Sequence, residues 1–227
     1  MASAKALLGA VAGRFLFRHG RVTQVARWSE HFVRFDVEGD ELSSARFVPG
    51  DKVQLFLPDV GMRTYTPVEW NGRATFFIGF VHGDGPGSRF VGGVKVGDEA
   101  ALFGPRRSID ASALDGPLVV VGDETSLGVA AALTRAKKER QVTALLESRF
   151  EAETRAAAEQ LGLKTATVTA PGGLVTPLLA QLELGAVPVF TGRAASIQAL
   201  KHAAKARGLR VEGPTKAYWA EGKRGLD

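Results

Sequence analysis

From Gly116-Pro117 onward the chain alternates short apolar runs with longer alanine-rich ones, and this alternation constrains the fold more than any other feature. PLVVVG leads into TSLGVAAALTRAKK, QVTALLE into EAETRAAAEQLG, KTATVT into GLVTPLLAQLEL and AVPVFTG into AASIQALKHAAKARG, with LRVEG closing the series. The short runs read as strands and the long ones as helices; Ile197, Leu200 and Ala204, for example, fall on one helical face, as a sheet-covering helix requires. Strands separated by helices argue for a parallel, doubly wound sheet that receives ligands at the carboxyl ends of its strands.

Upstream the pattern is different. Between Arg21 and about Phe103 the runs RVTQVARW, HFVRFDVE, KVQLFL, RTYTPVEW, RATFFIGFVH and DEAALF are short and β-like. Turn signals separate them: Pro49-Gly50-Asp51, Asn71-Gly72 and Val96-Gly97-Asp98. Asn-Gly between two apolar runs is a strong hairpin signal. A closed antiparallel β-barrel is the simplest architecture for this half. The expected boundaries are residues 1–112 for the barrel and 113–227 for the α/β unit.

Composition removes several classes of chemistry. The 227 residues include no cysteine, which excludes disulfides, thiol nucleophiles and cysteine-ligated metal or iron–sulfur centres. Redox work in such a chain must use a bound organic cofactor. The net charge of +5 is spread among 24 acidic residues with no basic block, which argues against nucleic acid as a partner. The stretch from Lys5 to Phe17 is apolar but too short to span a bilayer and is interrupted by Arg14, so it reads as a packed or amphipathic leader on a cytoplasmic protein with no membrane partner. Nothing in the sequence sets an oligomeric state.

Two groups of residues could carry a ligand. In RTYTPV, Arg63 offers a permanent forked cation and Tyr65, two positions on, lies on the same strand face, so together they could grip a phosphate and a ring. Past the hairpin, His82-Gly83-Asp84-Gly85-Pro86-Gly87-Ser88 reads as a strand end, a glycine-rich loop and a helix start, an arrangement suited to anions. In the α/β half the strand ends carry Gly122-Asp123-Glu124-Thr125, Glu147-Ser148-Arg149, Thr169 to Gly173, and Thr191-Gly192-Arg193. A parallel sheet sets these along one rim, where Gly122 and Gly192 could admit a ligand to backbone amides. Ser148 and Arg149 offer a hydroxyl and a guanidinium where the ribose phosphate of an adenosine would lie, favouring NADPH over NADH. Each feature taken alone is equally a plain turn or a solvated charge, and the dinucleotide fingerprint GxGxxG is absent.

With RTYT, HGDGPGS, VGD at 96–98, GPR at 104–106, VVVGDETSL at 119–127 and AYWAEG at 217–222, the chain resembles the siderophore-interacting proteins, which are NAD(P)H-dependent ferric-siderophore reductases among the ferredoxin-reductase-like flavoproteins. The resemblance runs from about Arg21 onward. It implies an FAD-binding barrel followed by a nicotinamide-binding α/β domain. FAD would be held by Arg63, Thr64, Tyr65 and Thr66 and by His82, Gly85, Gly87 and Ser88. Gly122, Asp123, Glu124, Thr125, Ser148, Arg149, Gly192 and Arg193 would border NADPH or NADH. The family often carries a second arginine three positions after the tyrosine, where this chain has Val68, and a Leu-Pro after GDET-A, where this chain has Leu127-Gly128.

The implied reaction passes a hydride from NAD(P)H to FAD and then single electrons to Fe(III) held by a siderophore or other ferric chelate. Trp219, Lys223 and Arg224, with Lys216 and Tyr218 nearby, are the candidates to meet an anionic chelate. Two other readings stay open: a ferredoxin-reductase-like flavoprotein with a protein acceptor, and a non-catalytic barrel that binds an oligonucleotide.

Overall fold

The computed structural model describes residues 17–57, 61–136 and 139–222. The leader up to residue 16, together with Lys223 and Arg224, lies outside them. An antiparallel sheet is built from β1 (Phe17–Arg27), β2 (Phe32–Glu38), β3 (Lys52–Leu57), β4 (Gly61–Tyr65), β5 (Glu69–Asn71), β6 (Ala74–Phe80) and β7 (Glu99–Arg106), in the order β4-β3-β7-β1-β2-β6-β5. A second sheet, entirely parallel, consists of β8 (Leu118–Asp123), β9 (Val142–Glu147), β10 (Ala166–Thr169), β11 (Val187–Arg193) and β12 (Thr215–Trp219), in the order β10-β9-β8-β11-β12. Helix α1 (Pro86–Gly93) joins β6 to β7, and α2 (Leu127–Ala136), α3 (Glu151–Gln160), α4 (Val175–Glu183) and α5 (Ala194–Ala206) are the crossovers of the parallel sheet. Antiparallel barrel-like sheet followed by doubly wound parallel sheet is the architecture expected from the sequence. Among the described residues, no helix is long and apolar enough to cross a membrane.

Three expectations need correction. RTYTPVEW is two strands and not one: β4 stops at Tyr65 and β5 starts at Glu69. Pro67 has no N–H for a ladder, so the chain leaves the sheet there. Among the described residues the sheet runs from β4 to β5 with no pairing between these two edges, so hydrogen bonds do not close the barrel. LRVEG is no strand, although Val211 is buried. The fifth parallel strand is TKAYW, which pairs with β11 from Phe190↔Thr215 to Arg193↔Trp219. Lys216, Tyr218 and Trp219 therefore stand on the edge strand beside the candidate rim.

Packing explains why both halves share one body. The barrel interior is filled by Val33, Phe35, Val37, Val53, Leu55, Phe77 and Leu102, which come from alternate positions of their strands. On β6 the intervening residues Phe76, Ile78 and Phe80 face outward and join Val68, Leu118, Val120, Leu127 and Leu133 in a second core. That core lies between the barrel and the α2 side of the parallel sheet. The opposite sheet face, with Val119, Val121, Leu145 and Phe190, is covered by Leu178, Ile197, Leu200 and Ala204 of α4 and α5. All six residues of β8 are buried, which accounts for the unbroken apolar run LVVV. Val68, where the family often has an arginine, is 1% exposed and belongs to the shared core.

Candidate functional site

The carboxyl ends of the parallel strands face the turn that follows β4, and the sequence candidates gather around this seam. Gly128, in the first turn of α2, marks the closest approach: a Cβ there would stand 3.1 Å from the Thr66 carbonyl oxygen and 3.6 Å from Thr66 Cβ. Glycine in place of the family's proline thus lets the helix touch the RTYT turn. The hydroxyl of Tyr218 on β12 reaches toward the Thr66 side chain from the other side but lies outside hydrogen-bond geometry. Burial pushes that phenol up to about 12.

Strand β4 sends Arg63 and Tyr65 to one face and Thr64 to the other, where Thr64 is exposed opposite Gln54. Thr64 therefore does not join Arg63 and Tyr65 on their face. The Tyr65 ring meets Phe35 edge-on at 5.9 Å and Phe77 at 6.2 Å, so it is half barrel core. Burial raises its pKa, with the positive charge of Arg63 opposing the shift. Arg63 donates to the Met62 carbonyl at 2.7 Å, and among the described residues it has no carboxylate partner. Its aliphatic stem lies against Gly87 in the first turn of α1, within 3.8 Å of where a Cβ would be. A cation beside a helix N-terminus whose neighbouring Gly85 has open space around it is a cradle for phosphate.

The loop that leads into α1 is held by its own serine. Ser88 is 5% exposed; its hydroxyl accepts from His82 N at 3.0 Å and donates to His82 O at 2.6 Å. Ser88 shapes the loop and does not present a hydroxyl to the cleft, contrary to the expectation for it. His82 is exposed and stacks on Phe80 at 5.2 Å.

The parallel-sheet rim shows a similar economy. Protein atoms fill the spaces beside Gly122 and Gly192, so neither glycine admits a ligand as the sequence suggests. A Cβ on Gly122 would meet Ser126 Oγ at 2.1 Å, and one on Gly192, whose φ is +88°, would meet Asp123 Oδ2 at 2.6 Å. Asp123 is 3% exposed. It accepts from Thr125 N at 2.9 Å and from Trp219 Nε1 at 2.8 Å, capping the 3-10 turn that leads into α2. Burial is the main reason its carboxyl is pushed up to about 6, against the opposing bonds from Thr125 and Trp219. Ser148 is likewise turned inward, 1% exposed, accepting from Phe150 N and Thr154 Oγ1, both at 2.9 Å. Its hydroxyl is not at the rim, whereas the exposed Arg149 is, with its backbone N–H donating to Glu124 Oε1 at 3.3 Å.

Arg193 and Trp219 sit together at the end of β11 and β12. The guanidinium carbon lies 5.6 Å from the indole centroid and the group pairs with Glu221 at 3.2 Å. Glu147, at the end of β9, went unassigned in the sequence. It is buried, accepts from Gly172 N at 3.1 Å and from Ser196 Oγ, and so ties three strand-end segments together. Its signal was a carboxylate at the end of an otherwise apolar strand.

No family model and no curated protein matches this sequence. Solved structures do. A siderophore utilization protein from T. fusca aligns with a TM-score of 0.70 at 22% identity, over 93% of this chain and 95% of its own. The siderophore-interacting protein SipS from Aeromonas hydrophila aligns at 0.67 and 20% identity, over 90% and 98%. A ferredoxin NADP+ reductase from Neisseria gonorrhoeae, solved with bound FAD and NADP, aligns at 0.71 and 15% identity, over 90% and 98%. The fold, an antiparallel barrel-like sheet followed by a parallel sheet with helices, is the one these structures share.

A ferredoxin-reductase-like fold sets a test for this chain's own residues. A flavin dinucleotide needs its diphosphate neutralised, and Arg63 beside the open first turn of α1 fits that need. The seam between the RTYT turn and the sheet rim is lined by Thr66, Gly128 and Tyr218.

Proposed function

We propose that the protein is an FAD-dependent NAD(P)H:ferric-siderophore oxidoreductase. The observation that carries this reading is Arg63 lying against Gly87 at the start of α1, three residues before Thr66, which meets Gly128 of the α/β half. Arg63 and the amides of the first turn of α1 would neutralise the diphosphate of FAD, with Gly85 leaving space for its approach. Thr66 and the wall of Tyr65 would border the ring. Arg149 would meet the ribose phosphate of NADPH, with Ser148 and Glu124 fixing the loop that carries it. When bound, FAD would accept electrons in pairs from a nicotinamide and release them singly to chelated Fe(III), which is chemistry no side chain of a cysteine-free protein supplies.

The partly solvated Arg193, held by Glu221 at the end of β11, offers a cation to an anionic ferric chelate. The test is an absorbance spectrum of the purified protein before and after anaerobic NADPH. Flavin bands that bleach with NADPH and return when a ferric siderophore is added support the reading. Colourless protein that takes up no added FAD overturns it. Reoxidation by a ferredoxin but not by ferric chelates would move the function to a protein acceptor.

A further inference from the structure

The indole of Trp219 is fixed on several sides and yet left open. Its Nε1 donates to Asp123 Oδ2 at 2.8 Å, Arg193 lies over the ring at 5.6 Å, and Arg193 is in turn held by Glu221 at 3.2 Å. The residue is nevertheless 39% exposed. A ring whose rotamer is already set loses little further entropy when a flat ligand stacks on it, which favours binding.

Asp123 is an unusual anchor for a surface indole, because it starts two strands away, at the end of β8. Its carboxylate crosses β11 through the space that Gly192 leaves open, where a Cβ would stand 2.6 Å from Oδ2. The same carboxylate caps the first turn after β8 through Thr125 N. One buried group thus ties the start of α2 to the edge strand β12.

We propose that Asp123 is a positioning residue that holds the Trp219 indole as a preset stacking face for the planar ring of a nucleotide bound at the carboxyl ends of the parallel strands. This deepens, and rests on, the reading of that crevice as a nicotinamide-nucleotide site.

The chemistry of the bond makes it sensitive to protonation. An indole N–H can only donate, and so can the N–H of Thr125. The ionised carboxylate accepts from both, whereas a proton on Oδ2 would set donor against donor and release the indole. Burial holds this carboxyl at about 6. The groups facing it are Glu124, which raises it further, the Thr125 hydroxyl and Trp219, which lower it, and the neutral Tyr218 phenol. Arg193 and Glu221 flank the indole itself.

The experiment uses the full chain as wild type, D123N, W219F and the double variant, with NADPH as donor and ferricyanide as acceptor. Each single variant is expected to raise KM for NADPH roughly three- to tenfold with kcat changed less than about twofold, and the double variant to be no worse than W219F alone. Intrinsic tryptophan fluorescence should show a step near the wild-type midpoint of about 6 that is missing from D123N and W219F. Additive losses in the double variant, a wild-type KM in D123N, or a fluorescence step that survives in D123N would each overturn the proposal. Should D123N fail to fold, W219F decides: a pH dependence of KM present in wild type and lost in W219F is expected, and one that persists is fatal to it. Wild-type protein that holds no FAD and oxidises no NADPH sinks the reductase reading instead, and the fluorescence step still decides whether Asp123 holds Trp219.

Discussion

The imidazole of His31, in the turn between β1 and β2, stacks on the ring of Phe150 at a centroid distance of 3.7 Å and an interplanar angle of 26°. Its Nδ1 lies 3.0 Å from Glu153 Oε1, and its backbone N–H donates to Glu153 Oε2 at 3.2 Å. Barrel and α/β unit are therefore clasped at a second point besides the seam at Gly128. The Ser29 hydroxyl, with a further contribution from His31, holds the Glu153 carboxyl below its usual range. A lowered carboxylate pKa stabilises the fold above the unfolded value and loses that effect as pH falls through the folded one. Glu153→Gln should cost about 0.5–1 kcal/mol near neutrality, the range of a partly solvated pair. Thermal unfolding across pH should show the gap from wild type closing on acidification, and a gap that widens would contradict the assignment.

Gly128→Ala separates helix propensity from fit. Alanine favours a helix interior by about 0.5–1 kcal/mol over glycine. Its Cβ would stand 3.1 Å from the Thr66 carbonyl, tighter than ordinary contact. Overpacking of this kind costs about 1–3 kcal/mol, so net destabilisation is expected in a denaturant titration. A more stable variant would show that the RTYT turn yields easily.

Arg63→Ala should leave the fold intact, because the side chain is half-exposed and its hydrogen bond is to the neighbouring carbonyl. The loss should fall on FAD, at about 1.5–3 kcal/mol for hydrogen bonds to a charged group, or roughly ten- to a hundredfold in Kd. Titration of apoprotein with FAD measures it, and an unchanged Kd would remove Arg63 from the diphosphate site.

Arg149 and Ser148 are neighbours with opposite expected behaviour. Arg149→Ala should raise KM for NADPH about tenfold and KM for NADH less than about twofold, since only the former carries the 2′-phosphate. Ser148→Ala should instead lower stability by about 1–2 kcal/mol, because Phe150 N and Thr154 Oγ1 lose their acceptor. Steady-state kinetics with both nucleotides, beside thermal melts, distinguishes the two roles. Equal losses with NADPH and NADH would reject the phosphate assignment.

Asp123 should leave a mark on stability as well. Its carboxyl rises from an ordinary 3.8 to about 6 in the folded protein, chiefly through burial. A raised carboxyl binds its proton more tightly when folded, so this group adds stability as pH falls through about 6, fully present below 3.8 and lost as pH rises. The melting temperature of wild type relative to Asp123→Asn, which does not titrate, should therefore climb on acidification over that window. A constant difference would place the carboxyl in a more solvated setting.

Much of this architecture was legible in the chain because period and punctuation survive folding. LVVV reads as a strand and is one, buried throughout, and Ile197, Leu200 and Ala204 do cover the sheet. The last strand was misplaced because LRVEG and TKAYW are both short and partly apolar, and only pairing with β11 chooses between them. Site chemistry was legible by type and place but not by direction. Ser88 and Ser148 stand at the expected turns with their hydroxyls spent on local backbone and Thr154. Gly122 and Gly192 are glycine for the sake of Ser126 and Asp123, the first a contact within one strand end and its turn, the second a contact across strands that is invisible along a sequence.

The core shared by Phe76, Val68, Leu127 and Leu133 bears on how the molecule comes apart. Severing the chain between the sheets would strand an oily surface on each fragment, so neither half is expected to fold alone. Heat should therefore melt the barrel and the sheet together in one cooperative transition.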